Sequence, residues 1–189
     1  MRGPVLAALG LTVVGASAMF TVFTYITPIL RDETHGSIGF VTAMLVLYGV
    51  GLTIGNWLGG RFADRSVDRT LIVTLAALTA ILIAFAFAMP FAGPTAVLIF
   101  LWGIASFALV PPLQVRVMSA AADAPNLASS MNIGAFNLGN AIGAALGGAV
   151  IAAGLNLPFV AIAGAAASSL GLIALLLSRR SGAPRAATA

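Results

Sequence analysis

Residues 70–115, TLIVTLAALTAILIAFAFAMPFAGPTAVLIFLWGIASFALVPPLQV, run for 46 positions without a charged side chain. A helix that crosses a bilayer takes about 20 predominantly apolar residues, so this stretch is two spans long. Its middle, Pro90-Phe91-Ala92-Gly93-Pro94, is a cluster of turn formers that divides it. The same reading extends outward. Gly3–Leu30 (28 residues) and Thr34–Gly60 (27, with His35 neutral) hold one span each, and Ala124–Ser178 (55) holds two, divided at Gly154-Leu155-Asn156-Leu157-Pro158. Six spans follow, at about 5–30, 38–60, 71–89, 95–115, 127–153 and 159–178. The expected fold is an all-α membrane bundle over 1–178 with an arginine-containing tail, 179–189.

Composition agrees. Of 189 residues 60% are hydrophobic and 7% charged, and the mean hydropathy is +1.09. A soluble domain carries about 25% charged residues, so this chain has too little polar surface to dissolve as a monomer. The absence of Cys removes disulfides, thiolate nucleophiles and Cys-based metal sites, and a single His cannot build a His-rich one. No cofactor or metal is expected. The start of the chain, Met1-Arg2 with Ala16-Ser17-Ala18 downstream, has the outline of a secretory signal. Its apolar run continues to Leu30, longer than a signal core, which favours a span.

All nine cations are arginines, set against five acids. Alternating the connections across the membrane puts Arg2, Arg61, Arg65, Arg69, Arg116, Arg179, Arg180 and Arg185 on one side and Arg31 on the other. Cytoplasmic flanks are where such residues accumulate, so both termini are expected inside. The positive balance is therefore a matter of topology, with no nucleic-acid partner implied.

Two stripes of small residues stand out. Gly51, Gly55 and Gly59 lie on the second span; Gly139, Gly143 and Gly147 lie on the fifth, with Asn132 and Phe136 extending that stripe as Met44 and Tyr48 extend the first. At 100° per residue each trio stays within about 80° of arc. Small residues let membrane helices approach closely. The stripes either close this bundle on itself or meet a second body. The second and fifth spans are the middle members of two triplets, as a 3+3 inverted repeat requires.

No acid or arginine falls mid-span. Asp32, Glu33 and His35 belong to the first outer loop. Pro28 in the first span and Pro111-Pro112 in the fourth remove backbone donors, and freed carbonyls in hydrocarbon must face protein or a water-filled cavity. Phe20, Thr24, Tyr25 and Thr27 on the first span, and Trp102, Ser106 and Gln114 on the fourth, are therefore the cavity-lining candidates; interhelical hydrogen bonding is the competing role for each. An enzymatic reading has little to stand on. An intramembrane serine protease of the rhomboid type needs a G-x-S-G serine and a histidine deep in a later helix, a P-loop needs lysine, and none is present.

The loop after the second span reads Gly59-Gly60-Arg61-Phe62-Ala63-Asp64-Arg65-Ser66-Val67-Asp68-Arg69. It resembles the loop signature of the major facilitator superfamily, G-x-x-x-D-[RK]-x-G-x-[RK]-[RK]. Gly60, Asp64, Arg65 and Arg69 match; Val67 stands at the second glycine and Thr70 at the last basic position. FTVFTYITPIL (20–30), PLQVRVM (112–118) and AFNLGNAIG (135–143) are similar to the C-terminal half of the drug:proton-antiporter and sugar-efflux-like branch. The resemblance implies a twelve-helix transporter of which this chain is the second half. The partner would be an N-terminal six-helix half, in the same gene, an adjacent gene or absent. It further implies that the first and fourth spans line a central cavity, that the second and fifth meet the other half, and that proton-coupling acids often lie in that half. The implied function is proton-coupled efflux of a small organic solute, drug-like or sugar-like, across a bacterial cytoplasmic membrane. A non-transporting scaffold or truncated remnant is the alternative.

Overall fold

A computed structural model describes residues 3–182, with side chains through residue 179. Arg2 and the tail beyond 182, Arg185 included, lie outside the described residues, as does the Arg180 side chain. The order is α1 (Gly3–Phe23), α2 (Ile26–Pro28), a π-helical turn (Ile29–Glu33), α3 (Ile38–Ala63), α4 (Val67–Ala88), α5 (Ala92–Ala108), α6 (Val110–Ala120), α7 (Pro125–Ala152) and α8 (Pro158–Gly182). There is no strand among the described residues. Six helices are long and apolar enough to cross a membrane, α5 and α6 counting as one span over Ala92–Ala120.

Local chemistry sets the ends. Ser37 caps α3 by accepting from the Phe40 N–H, and Ser66 caps α4 by accepting from the Arg69 N–H. Gly154 takes a positive φ of 75° in the turn that leads to α8, a conformation that penalises a Cβ. The fourth span continues past the expected residue 115 to Ala120 because the prolines sit in the first turn of α6, where their missing N–H groups cost nothing.

The two central spans are the first and the fourth. In the most apolar window of each, 61% and 50% of residues are buried, against 28% in α3 and 22% in α7. α1 packs on α7 and α8, while α5 packs on α3 and α4. These are the same contacts with the two triplets exchanged, as an inverted repeat demands. α4 and α8 close the back of the bundle through Leu75, Leu78 and Leu82, and Ser168 Oγ donates to the Leu75 carbonyl at 3.0 Å.

The glycine stripes hold these contacts. A Cβ at Gly51 or Gly59 would lie 2.6 or 2.5 Å from the carbonyl oxygen of Phe100 or Ala108, and one at Gly55 would collide with that of Ile104. On α7, a Cβ at Gly139, Gly143 or Gly147 would meet the carbonyls of Val13, Ser17 or Thr21 at 2.5, 2.5 and 2.8 Å. Each stripe is a rail seated on three carbonyls four residues apart. This corrects the expectation that Gly51, Gly55, Gly59, Gly139, Gly143 and Gly147 meet a second half. They are consumed inside the bundle, because only a bare backbone lets α3 and α7 approach the central spans this closely.

Candidate functional site

Both central helices are interrupted where proline chemistry places the fault. Pro28 cannot donate to the Thr24 carbonyl, and α1 breaks at Thr24-Tyr25. Pro112 cannot donate to the Ala108 carbonyl, and the fourth span breaks at Leu109. The first break lies toward the end of the bundle opposite the arginine-rich one, and the second lies toward the arginine-rich end. Each follows the last carbonyl of its glycine rail.

Around the first break, Thr24 and Thr27 are exposed and Phe20 is half-buried. Thr24 Oγ1 donates to the Phe20 carbonyl at 2.7 Å, and Phe20 meets Phe23 and Phe136 edge-on. Tyr25 turns away from open space. Its hydroxyl donates to the Ala144 carbonyl at 2.9 Å and its ring lies over Gly147 and Gly148, pinning the break to α7. Near the second break, Phe107 joins Leu52, Thr53 and Asn56 around an open groove of about 320 Å³.

Trp102 and Ser106 are corrected to core residues. Both are fully buried within this chain alone, so neither lines a cavity shared with another body. Trp102 packs in an aromatic cluster with Phe23, Tyr48 and Phe85, stacked on Phe85 and tilted against the other two, at ring-centroid distances of 4.5–6.4 Å. Its indole N–H has no hydrogen-bond partner. Tyr48 reaches Ser106 Oγ with its hydroxyl at 3.5 Å. The physical reason is volume: α3 is drawn onto α5 by its glycines, and the large rings fill the wedge above the rail.

Gln114 and Asn132 come together, although they were read in different roles. Thr12 Oγ1 donates to Asn132 Oδ1 at 2.7 Å, Asn132 Nδ2 to Gln114 Oε1 at 2.6 Å, and Gln114 Nε2 to Ser129 Oγ at 2.8 Å. This chain of hydrogen bonds ties α1, α6 and α7 together. Asn132 thus bonds inside the bundle, which corrects its assignment to an outer interface.

At the arginine-rich end Gly60 lies in the last turn of α3, Asp64 and Arg65 in the tight α3–α4 connection and Arg69 in the first turn of α4; Asp64, Arg65 and Arg69 are exposed. The Asp64 N–H donates to the Gly60 carbonyl. A residue the sequence reading did not single out forms ion pairs here: Asp68, in the first turn of α4, holds Arg116 of α6 and, at 3.5 Å, Arg179 of α8. Three spans are thereby tied at one level. The only available signal was an acid one helical turn past Asp64. Asp32 and His35 stay exposed in the opposite loop.

Among the described residues no cluster of His, Cys, Asp and Glu could hold a metal ion. What remains is a multi-pass membrane bundle of two interlocked triplets, broken at its central helices and bare on the outer faces of α3 and α7. The chain belongs to the Major Facilitator Superfamily, whose profile matches residues 8–189.

Individual relatives sharpen this. The chain is 55% identical over 180 residues to the inner membrane transport protein YdhP of Escherichia coli (strain K12), covering 95% of this chain and 46% of that protein. It is 33% identical over 180 residues to a probable sugar efflux transporter of Helicobacter pylori, at 95% and 45% coverage. To the MFS-type transporter YfhI of Bacillus subtilis it is 31% identical over 169 residues, at 89% and 43%. The chain spans about half the length of the curated relatives it matches.

Proposed function

We propose that this chain is the C-terminal half of a secondary active transporter that exports a small organic solute, drug-like or sugar-like, by alternating access. The observation that carries the reading is the pair of broken central helices. An interrupted helix beside a cavity exposes backbone carbonyls where a solute can use them, and here Thr24 and Thr27 stand exposed at one interruption. Phe20 and Phe107 add the apolar and aromatic surface a neutral organic solute needs. The outer faces of α3 and α7, with Val46, Val50, Ile133 and Leu138 exposed, are where a second six-helix half docks. The chain acts by binding and moving solute, not as an enzyme.

Proton coupling belongs to the same proposal. The five acids of the sequence all lie near span ends, so the titrating carboxylate is supplied by the other half. The protein sits in a bacterial cytoplasmic membrane with both termini inside, following the arginine bias.

The test is transport in proteoliposomes by a complete twelve-helix protein carrying this half. Replacing Thr24 and Thr27 together by Val should raise KM for solute by about tenfold, the scale of one or two lost hydrogen bonds, and leave insertion intact. Unchanged kinetics would remove these residues from the solute path. The scaffold reading is favoured by one feature, the internal use of both glycine rails, which lets the bundle close without a partner. It predicts no solute flux with any second half.

A further inference from the structure

Between the end of α3 and the start of α4 lies a groove of about 350 Å³ that the transport reading does not use. Arg65, Ser66, Arg69 and Thr70 line it at the helix ends, Phe62 flanks them from the last turn of α3, and Val73 and Thr74 line it one turn further along α4. Both apolar residues face outward, at 45% and 65% exposure. We infer that this groove binds the phosphodiester headgroup of an anionic phospholipid, with an acyl chain running down over Val73.

Three features select that ligand. The first is charge: two arginines converge on the groove, and neither nearby acid lines it. Asp68 is turned to Arg116 and Arg179, and Asp64 lies outside the lining. Arginine presents paired donors suited to phosphate oxygens. The second is level. α3 ends at Ala63 and α4 begins at Val67, so the groove sits where both spans leave the bilayer, the depth of phosphate headgroups. Basic pockets between spans at this depth are sites for anionic lipid heads. Exposed Trp57, with the Arg61 guanidinium 5.8 Å from its ring, marks the same boundary. The third is order along α4, from cationic Arg69 to exposed, apolar Val73 one turn further into the span. A free phosphate would use only the cationic part; a phospholipid uses both.

The test is native mass spectrometry of the 189-residue chain in a neutral detergent, titrated with cardiolipin, phosphatidylglycerol or phosphatidylcholine. Anionic lipid should be retained and phosphatidylcholine lost. Each arginine near an anionic lipid surface contributes about fivefold in binding, so R65Q/R69Q should weaken retention by at least about tenfold. R31Q, at the opposite end, should not change it. V73E keeps both arginines, places a carboxylate in the groove, and should also weaken retention, which carries the test should the double variant fail to fold. Retention by V73E equal to that of the parent chain, equal retention of phosphatidylcholine, or displacement by millimolar inorganic phosphate would each overturn the proposal.

Discussion

Among the described glycines Gly55 is the most tightly seated. A Cβ there has nowhere to go, because the obstacle is the Ile104 backbone and not a movable side chain. Gly55→Leu should therefore destabilise the isolated chain by about 3 kcal/mol or more, at the upper end of overpacking costs. Gly49→Leu, on the same helix where nothing lies within 4 Å of an added Cβ, should be neutral or slightly stabilising. Thermal unfolding in detergent distinguishes the two, and equal shifts would mean the rail does not bear on stability. The stripes themselves were legible, since a four-residue period survives in any helix. Their partners were not. A glycine rail seats on carbonyls, and carbonyls leave no side-chain pattern at Val13, Ser17 and Thr21 or at Phe100, Ile104 and Ala108. Trp102 was misread for a related reason: an indole looks alike in sequence whether it fills a wedge or faces a cavity.

At the scale of elements, the six spans and their order were readable from charge-free runs, because the hydrocarbon thickness imposes a length on every apolar helix. The breaks were readable too, from Pro28 and Pro111-Pro112. Legibility ended at long-range polar pairing. Asp68 finds Arg116 from 48 positions away, and the amide chain from Thr12 to Ser129 joins helices that are remote in sequence. The interruption in α1 also makes a prediction of its own. Pro28→Ala restores a donor for the Thr24 carbonyl and should straighten the helix through residue 33. The isolated chain should keep or raise its Tm, since Ala is much the better helix former, while transport in the complete protein should fall several-fold. Full transport with a restored helix would show that the break is dispensable.

For the whole molecule, orientation is the property most cheaply tested. Reporter fusions after Leu30 and Pro94 should read outside, and fusions after Arg69 and at the C-terminus inside. A C-terminus outside would contradict the arginine rule for this chain and reverse the proposed side of the Asp68 cluster. Six spans that alternate in direction place the α3–α4 and α6–α7 connections and the end of α8 on one face, where Arg65, Arg69, Arg116 and Arg179 lie.

The rails also set a timetable for synthesis. The α3 rail is 49 positions from the α5 carbonyls it seats on, Gly51 to Phe100, but the rail that holds α1 is on α7, with Val13 and Gly139 separated by 126 positions. At about 5–20 residues per second, the first helix waits about 6 to 25 s in lipid before its mate emerges. It is equipped for that interval. Ser17 donates to the Val14 carbonyl and Thr21 to that of Ser17, so their hydroxyls are already satisfied within one helix. Thr12 and, just past α1, Tyr25 also reach across to α7. The newborn helix can therefore stand alone as a greasy rod, and the ribosome's pace becomes part of how the bundle is assembled.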